Sequence, residues 1–270
     1  MSCCCCCPAT LAIGAVVIYL IYKFFFKKER KEPELQVQNW EKDTVYLFQF
    51  SRPQHMPNLS PFCLKVETLL RAHKIKHEIR ETNNLRSKYG LLPFIELNGK
   101  HYADSQLIDF VLRDHFKIDQ YATKYDEGVA RAIDRMIDSF TFGEFCQNLV
   151  KILHLPSVVS AILGGFVMPL FIGCKFKKRV NTIVGPFSQD EFLLLFRKDM
   201  EAAANVLGDK KYLFGDKITS ADCTLWALLA ISYYASYEVA IQRIIREEFK
   251  PIQEYLDRIR HELYPDDFSR

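Results

Sequence analysis

Apolar positions along this chain keep two different periods, and the change falls near residue 119. Thr44-Val-Tyr-Leu-Phe-Gln-Phe50 is β-branched and aromatic and predicts a buried strand, ended by the Pro-containing stretch Ser51 to Pro61. Helical spacing follows at Cys63, Val66, Leu69 and Leu70, with Ser60 as N-cap and Pro61 in the first turn. Lys76 to Glu81 predicts a second short strand. Pro93 to Leu97 and Lys100 to Ala103 flank Asn98-Gly99, a pair suited to the positive φ angles of a type I′ hairpin turn. Asp104-Ser105 then opens a helix expected to turn Leu107, Ile108, Val111, Leu112 and Phe116 inward. Beyond Asp119 the strands stop, and helical periodicity covers 126–153, 188–207, 219–235 and about 243–262.

Strand-helix-strand followed by strand-strand-helix is a thioredoxin-like order, so residues 44–118 are expected to form an α/β domain and 119–270 an all-α one. Thr219-Ser-Ala-Asp222 precedes an apolar run and reads as a capping box, the Asp222 carboxylate reaching back to the Thr219 amide.

The N-terminus is of another kind. From Ala9 to Tyr22 there are fourteen residues without a charge, and the apolar segment extends to Phe26 because the stem of Lys23 can snorkel. The basic cluster Lys27-Lys28-Glu29-Arg30-Lys31 follows the apolar run instead of preceding it, the reverse of a signal peptide. The expectation is one uncleaved transmembrane helix over 9–26, a Cys-rich tip over 1–8, a polar linker over 27–43 and a body left in the cytosol by the positive-inside rule. Leu155 to Cys174 is also uncharged, but Pro156, Gly164, Gly165 and Pro169 interrupt it. The segment 155–176 is therefore read as a buried or membrane-resting insertion, not a second span.

Composition changes the picture in two places. The net charge of +3 belongs to the N-terminus: five basic residues against Glu29 give the first 31 residues +4 and leave −1 for the rest, so no nucleic-acid footprint is expected. Of nine Cys, five are the run Cys3 to Cys7, which suits acylation or no specific role better than a metal site, since its spacing follows no ligand pattern. Cys63, Cys146, Cys174 and Cys223 are too scattered for a disulfide framework.

Candidate chemistry gathers where predicted elements end. Ser60 and Cys63 lie beside the free N–H groups of a helix start, which stabilise an anion and lower a thiol pKa. The same residues also read as a plain N-cap and a small buried side chain. Pro93 opens a strand; a cis bond before it would turn the Leu92 backbone outward to pair with an extended thiol peptide. Ser105, behind Asp104, could receive a carboxylate. Phe140, Phe142, Phe145 and Trp226 read as pocket lining or, more simply, as core.

In that order, Ser60-Pro-Phe-Cys63, Leu92-Pro93-Phe-Ile, Asn98-Gly99, Asp104-Ser105 and Thr219-Ser-Ala-Asp222 resemble the glutathione S-transferase superfamily. The apolar N-terminus with Ser-Pro-Phe-Cys-Leu-Lys65 is similar to the failed axon connections group, including nematode cadmium-responsive membrane proteins, with metaxins more distant. The resemblance implies glutathione as ligand, Ser60 in the activating position, Leu92 and Pro93 at its cysteinyl part, and Asp104 and Ser105 at its γ-glutamyl end. It allows a homodimer. It places the chain in a lysosomal membrane by the cadmium-responsive likeness, or in the mitochondrial outer membrane by the metaxin one. Ser60 replaces the first Cys of a Cys-x-x-Cys motif, which removes dithiol exchange. Three functions follow as expectations: a membrane-tethered binding or regulatory protein of cadmium and stress responses, an active transferase or peroxidase using Ser60, and a cadmium trap at Cys3 to Cys7.

Overall fold

Val45–Gln49 (β1) is buried along its whole length, because both faces of the strand are covered: Val45 and Leu47 enter one hydrophobic cluster, Tyr46 and Phe48 another. The structure, a computed structural model, describes residues 33–53, 57–58, 60–137, 187–235 and 238–269. With His77–Glu81 (β2), Phe94–Leu97 (β3) and Lys100–Ala103 (β4), β1 forms a four-stranded sheet ordered β2-β1-β3-β4. β1 runs parallel to β2, with Val45 opposite His77, and antiparallel to β3, with Val45 opposite Leu97. β4 closes the hairpin, and Asn98 and Gly99 take φ of 50° and 71°, the turn that Asn-Gly predicts. The Trp40 indole lies over Gly99, so a Cβ there would meet its Nε1 at 2.9 Å.

The helices are Pro61–Ala72 (α1), Ser105–His115 (α2), 124–137 (α3), Gln189–Leu207 (α4), Ser220–Tyr233 (α5), Ala240–Glu248 (α6) and Lys250–Leu263 (α7). All fourteen residues of α5 are buried, and it packs along α1. One core cluster runs from Leu47 and Ile95 of the sheet through Leu64 and Leu69 to Trp226 and Leu256. The thioredoxin-like half and the helical half therefore share this cluster, while Tyr46, Phe48, Cys63, Leu92, Phe94 and Ala103 form a second one in the thioredoxin-like half.

Three expectations change. In α2, Leu107 is 48% exposed, and the buried stripe is Ser105, Ile108, Asp109 and Leu112. In that orientation Ile108 and Leu112 are fully buried and the Asp109 carboxylate receives the Ser220 hydroxyl of α5. The single helix expected over 243–262 is two, broken at Phe249 before Pro251, a residue that cannot continue the hydrogen-bond ladder. Residues 36–43, at the end of the stretch read as linker, are held on the sheet. The amides of Gln36 and Val37 donate to the buried Glu96 carboxylate at 2.8 and 2.9 Å, and the Asp43 amide donates to Asn98 Oδ1 at 2.8 Å.

Among the described residues no helix is long and apolar enough to cross a membrane. The expected anchor at 9–26, the Cys tip and the insertion at 155–176 lie outside the described residues.

Candidate functional site

Ser60 takes the N-cap position of α1, with extended backbone (φ −115°, ψ 122°), and its hydroxyl accepts the Cys63 N–H at 3.4 Å. Its own N–H donates to Asn58 Oδ1 at 2.9 Å. The residue is 8% exposed. Cys63, one turn inside the helix, is fully buried, and burial pushes its thiol up to about 12 despite hydrogen bonding to Ser60. The helix start thus does not activate a thiolate here: desolvation outweighs the N-terminal field. Cys63 in the folded chain should resist iodoacetamide at pH 8 and react once urea is added, as read by mass mapping of its peptide.

The Leu92–Pro93 bond is cis and leads directly into β3. Asp104 caps α2 from φ 75°, its Oδ1 accepting the N–H groups of Gln106 at 3.0 Å and Leu107 at 3.3 Å. That leaves the Ser105 hydroxyl and the opening turn of α2 beside an acid already fixed in place. Leu92, Pro93, Asp104 and Ser105 line one cavity of about 200 Å³, closed further by Phe62 of α1 and by Ser87, Tyr89, Leu91 and Gln106. The structure therefore brings together four of the five candidate residues. Ser60 is not a wall of the cavity; its neighbour Phe62 is.

Sequence reasoning missed Ser87, Tyr89 and Gln106. The first two had a local signal, since Ser87 Oγ accepts the Tyr89 and Leu91 amides at 3.3 Å and Gly90 follows at φ 78°, ordinary turn chemistry. Gln106 had none: Arg131, from the helical half, fixes its side chain by donating to Oε1 at 3.1 Å. Trp226 is core, stacked on Tyr264 with centroids 5.0 Å apart and donating its N–H to the Leu256 carbonyl. Phe140, Phe142 and Phe145 lie outside the described residues.

A larger cleft, about 1010 Å³, sits at the other end of α1, among His73, Lys76, Phe116, Gln120 and Lys211. It faces the carbonyl ends of α1 and α2, and Lys76 and Lys211 of its walls are paired with Glu41 and Glu262. Among the described residues no three His, Cys, Asp or Glu side chains are grouped to hold a metal.

Models of the glutathione S-transferase N-terminal and C-terminal domains match residues 61–145 and 196–259. Failed axon connections of Drosophila melanogaster is 30% identical over 250 residues, covering 84% of this chain; the chain spans 60% of that protein's length. A glutathione transferase from Phanerochaete chrysosporium superposes with a TM-score of 0.57 at 14% identity, covering 84% of this chain and all of that one. A transferase of Ceriporiopsis subvermispora in complex with glutathione gives 0.54 at 16% identity, covering 83% of this chain and 99% of that one.

Proposed function

The chain belongs to the glutathione S-transferase superfamily and, within it, to the failed axon connections family; on that premise we propose that it is a membrane-tethered glutathione-binding protein that acts by binding in cadmium and other stress responses. The observation that carries this reading is the separation of the binding residues from the activating one. Leu92, Pro93, Asp104 and Ser105 share the cavity, while the Ser60 hydroxyl is buried and engaged as a helix cap. At the γ-glutamyl end Asp104 would meet the ammonium, and the Ser105 hydroxyl would donate to the carboxylate. The glutathione complex of the Ceriporiopsis transferase adds weight to this ligand.

Titration calorimetry of glutathione into the full chain tests it. Binding is expected, weakened about tenfold in Ser105→Ala by loss of one charge-assisted hydrogen bond. No heat of binding would remove the reading. Active transferase or peroxidase chemistry at Ser60 is the second reading, favoured by the length of the cap bond: at 3.4 Å the hydroxyl can turn toward a thiolate. Conjugation at ordinary enzymatic rates that vanish in Ser60→Ala would select it.

Residues 9–26 supply the tether in this proposal, with the body in the cytosol, the lysosomal membrane as first location and the mitochondrial outer membrane as second. Fractionation of the chain with and without 9–26 tests the tether. A homodimer would cover Leu107 and Phe110, 48% and 45% exposed on α2.

A further inference from the structure

Glu67 is a fully buried carboxylate with no part in the glutathione reading, and it is tied to the segment that leads into Ser60. Its Oε2 accepts from Gln49 Nε2 at 2.7 Å, and its Oε1 accepts from Arg52 Nη2 at 2.6 Å and Arg71 Nε at 3.0 Å. Two guanidiniums against one buried carboxylate leave excess positive charge where water is scarce. The balance comes from the far end of the sequence. Asp267 receives Arg71 through both of its oxygens, at 2.9 and 2.5 Å, and stands 4.0 Å from Arg52 Nη2. Tyr264 seats this stretch: its ring stacks on Trp226, the Arg71 guanidinium lies 4.3 Å above it, and its hydroxyl meets Thr68 Oγ1 at 2.9 Å.

Arg52 has a second task. Its Nη1 donates to the Pro57 carbonyl at 2.9 Å. The next residue, Asn58, is fully buried and ties back on both sides, donating to the Phe50 carbonyl at 3.4 Å and accepting the Ser60 N–H at 2.9 Å. One guanidinium therefore joins the segment before Ser60 to a charge quartet that Asp267 completes.

We propose that the segment 264–268, which follows α7, regulates the glutathione site by setting the pose of Ser60 and Phe62, with Arg52 as the positioning residue between them. The ligand, though not the coupling, rests on the glutathione reading above. Drawing the segment away leaves Arg52 and Arg71 opposed only by Glu67, frees the Pro57 strut and loosens Phe62, a wall of the cavity. Glutathione affinity is then set in part by whatever holds or releases residues 264–268.

Hydrogen exchange and glutathione titration on the full chain test this with Arg52→Lys and Asp267→Asn. Lysine keeps the charge opposite Glu67 but lacks the fork that reaches Pro57 as well, so Tm should stay near wild type while the glutathione Kd rises about tenfold. In Asp267→Asn the Ser60, Phe62 and Cys63 amides should exchange about tenfold faster, with β3 and β4 unchanged. Unchanged exchange at these amides in both variants overturns the proposal, as does unchanged affinity in a chain that binds glutathione. If the wild type takes up no glutathione but exchange at these amides still rises, the glutathione reading falls and the coupling stands.

Discussion

Asp222→Ala is expected to cost about 4 kcal/mol of folding stability, because it strands several buried donors at once. The carboxylate is fully buried and accepts the Leu213 amide at 2.9 Å, the Thr219 amide at 2.8 Å, the Thr219 hydroxyl at 2.6 Å and the Tyr255 hydroxyl at 2.9 Å. It closes the start of α5, the helix on which α1 rests. Burial nevertheless holds the Asp222 carboxyl above its ordinary range, in spite of those donors. The sign follows: a carboxyl whose folded pKa is raised favours folding most at low pH and loses that contribution as pH rises. Asp222→Asn removes the charge and keeps one acceptor, so it should cost less, about 1–2 kcal/mol at pH 7. The wild-type advantage over Asn should grow as pH is lowered toward about 4. Urea unfolding followed by tryptophan fluorescence, in which Trp226 is buried in α5 and Trp40 is already partly exposed, measures both variants. A loss under about 1 kcal/mol for Asp222→Ala would mean that the cap does not hold the helix.

Asp134→Ala should cost about 3–5 kcal/mol by leaving the Lys65 ammonium buried without its partner. Lys65 Nζ lies 2.7 Å from Asp134 Oδ1, joining α1 to α3, and the same oxygen takes the Thr224 hydroxyl of α5 at 2.5 Å. Arg131 donates to the other oxygen at 3.0 Å. Burial alone would raise the Asp134 carboxyl, but the Lys65 ammonium and its hydrogen bond bring it below the ordinary range. Its contribution to stability is therefore present above the unfolded-state pKa, about 3.9, and lost as pH falls through the lower folded value. The double variant Lys65→Met/Asp134→Leu should recover to within about 1 kcal/mol of wild type, since apolar replacements of similar volume commonly match a buried pair. It should also lose the pair's share of acid sensitivity. A double variant as unstable as Asp134→Ala would show that the site needs charge and not merely filled volume.

Both predictions concern residues whose weight is visible to different degrees in the sequence. Thr219-Ser-Ala-Asp222 could be read as a helix start without coordinates, because its bonds close within three residues. The buried Tyr255 and Leu213 donors that raise its value could not. For Lys65 the helical pattern gave no warning of burial: α1 is covered on nearly all sides, and its charged residues Lys65 and Glu67 find partners in α3, in the segment after β1 and in Arg71.

The candidate site divides in the same way. Ser60 with Pro61, Asn98-Gly99 and Asp104-Ser105 announce themselves through steric and hydrogen-bonding preferences that span a few residues, so the sequence alone determined the turn, the caps and the order of the strands. The sequence also set Ser60, Leu92, Pro93 and Ser105 along one surface; only the tertiary structure decided that Ser60 stands outside the wall of the cavity the others line, that Cys63 is an inert buried thiol, and that Leu107 faces outward while Asp109 faces in. The physical reason is range. A cap or a turn is stabilised by its immediate neighbours, whereas burying a charge or shaping a cavity depends on groups that the chain delivers from far away: Asp134 to Lys65 across 69 positions, Ser220 to Asp109 across 111 and Asp267 to Arg71 across 196.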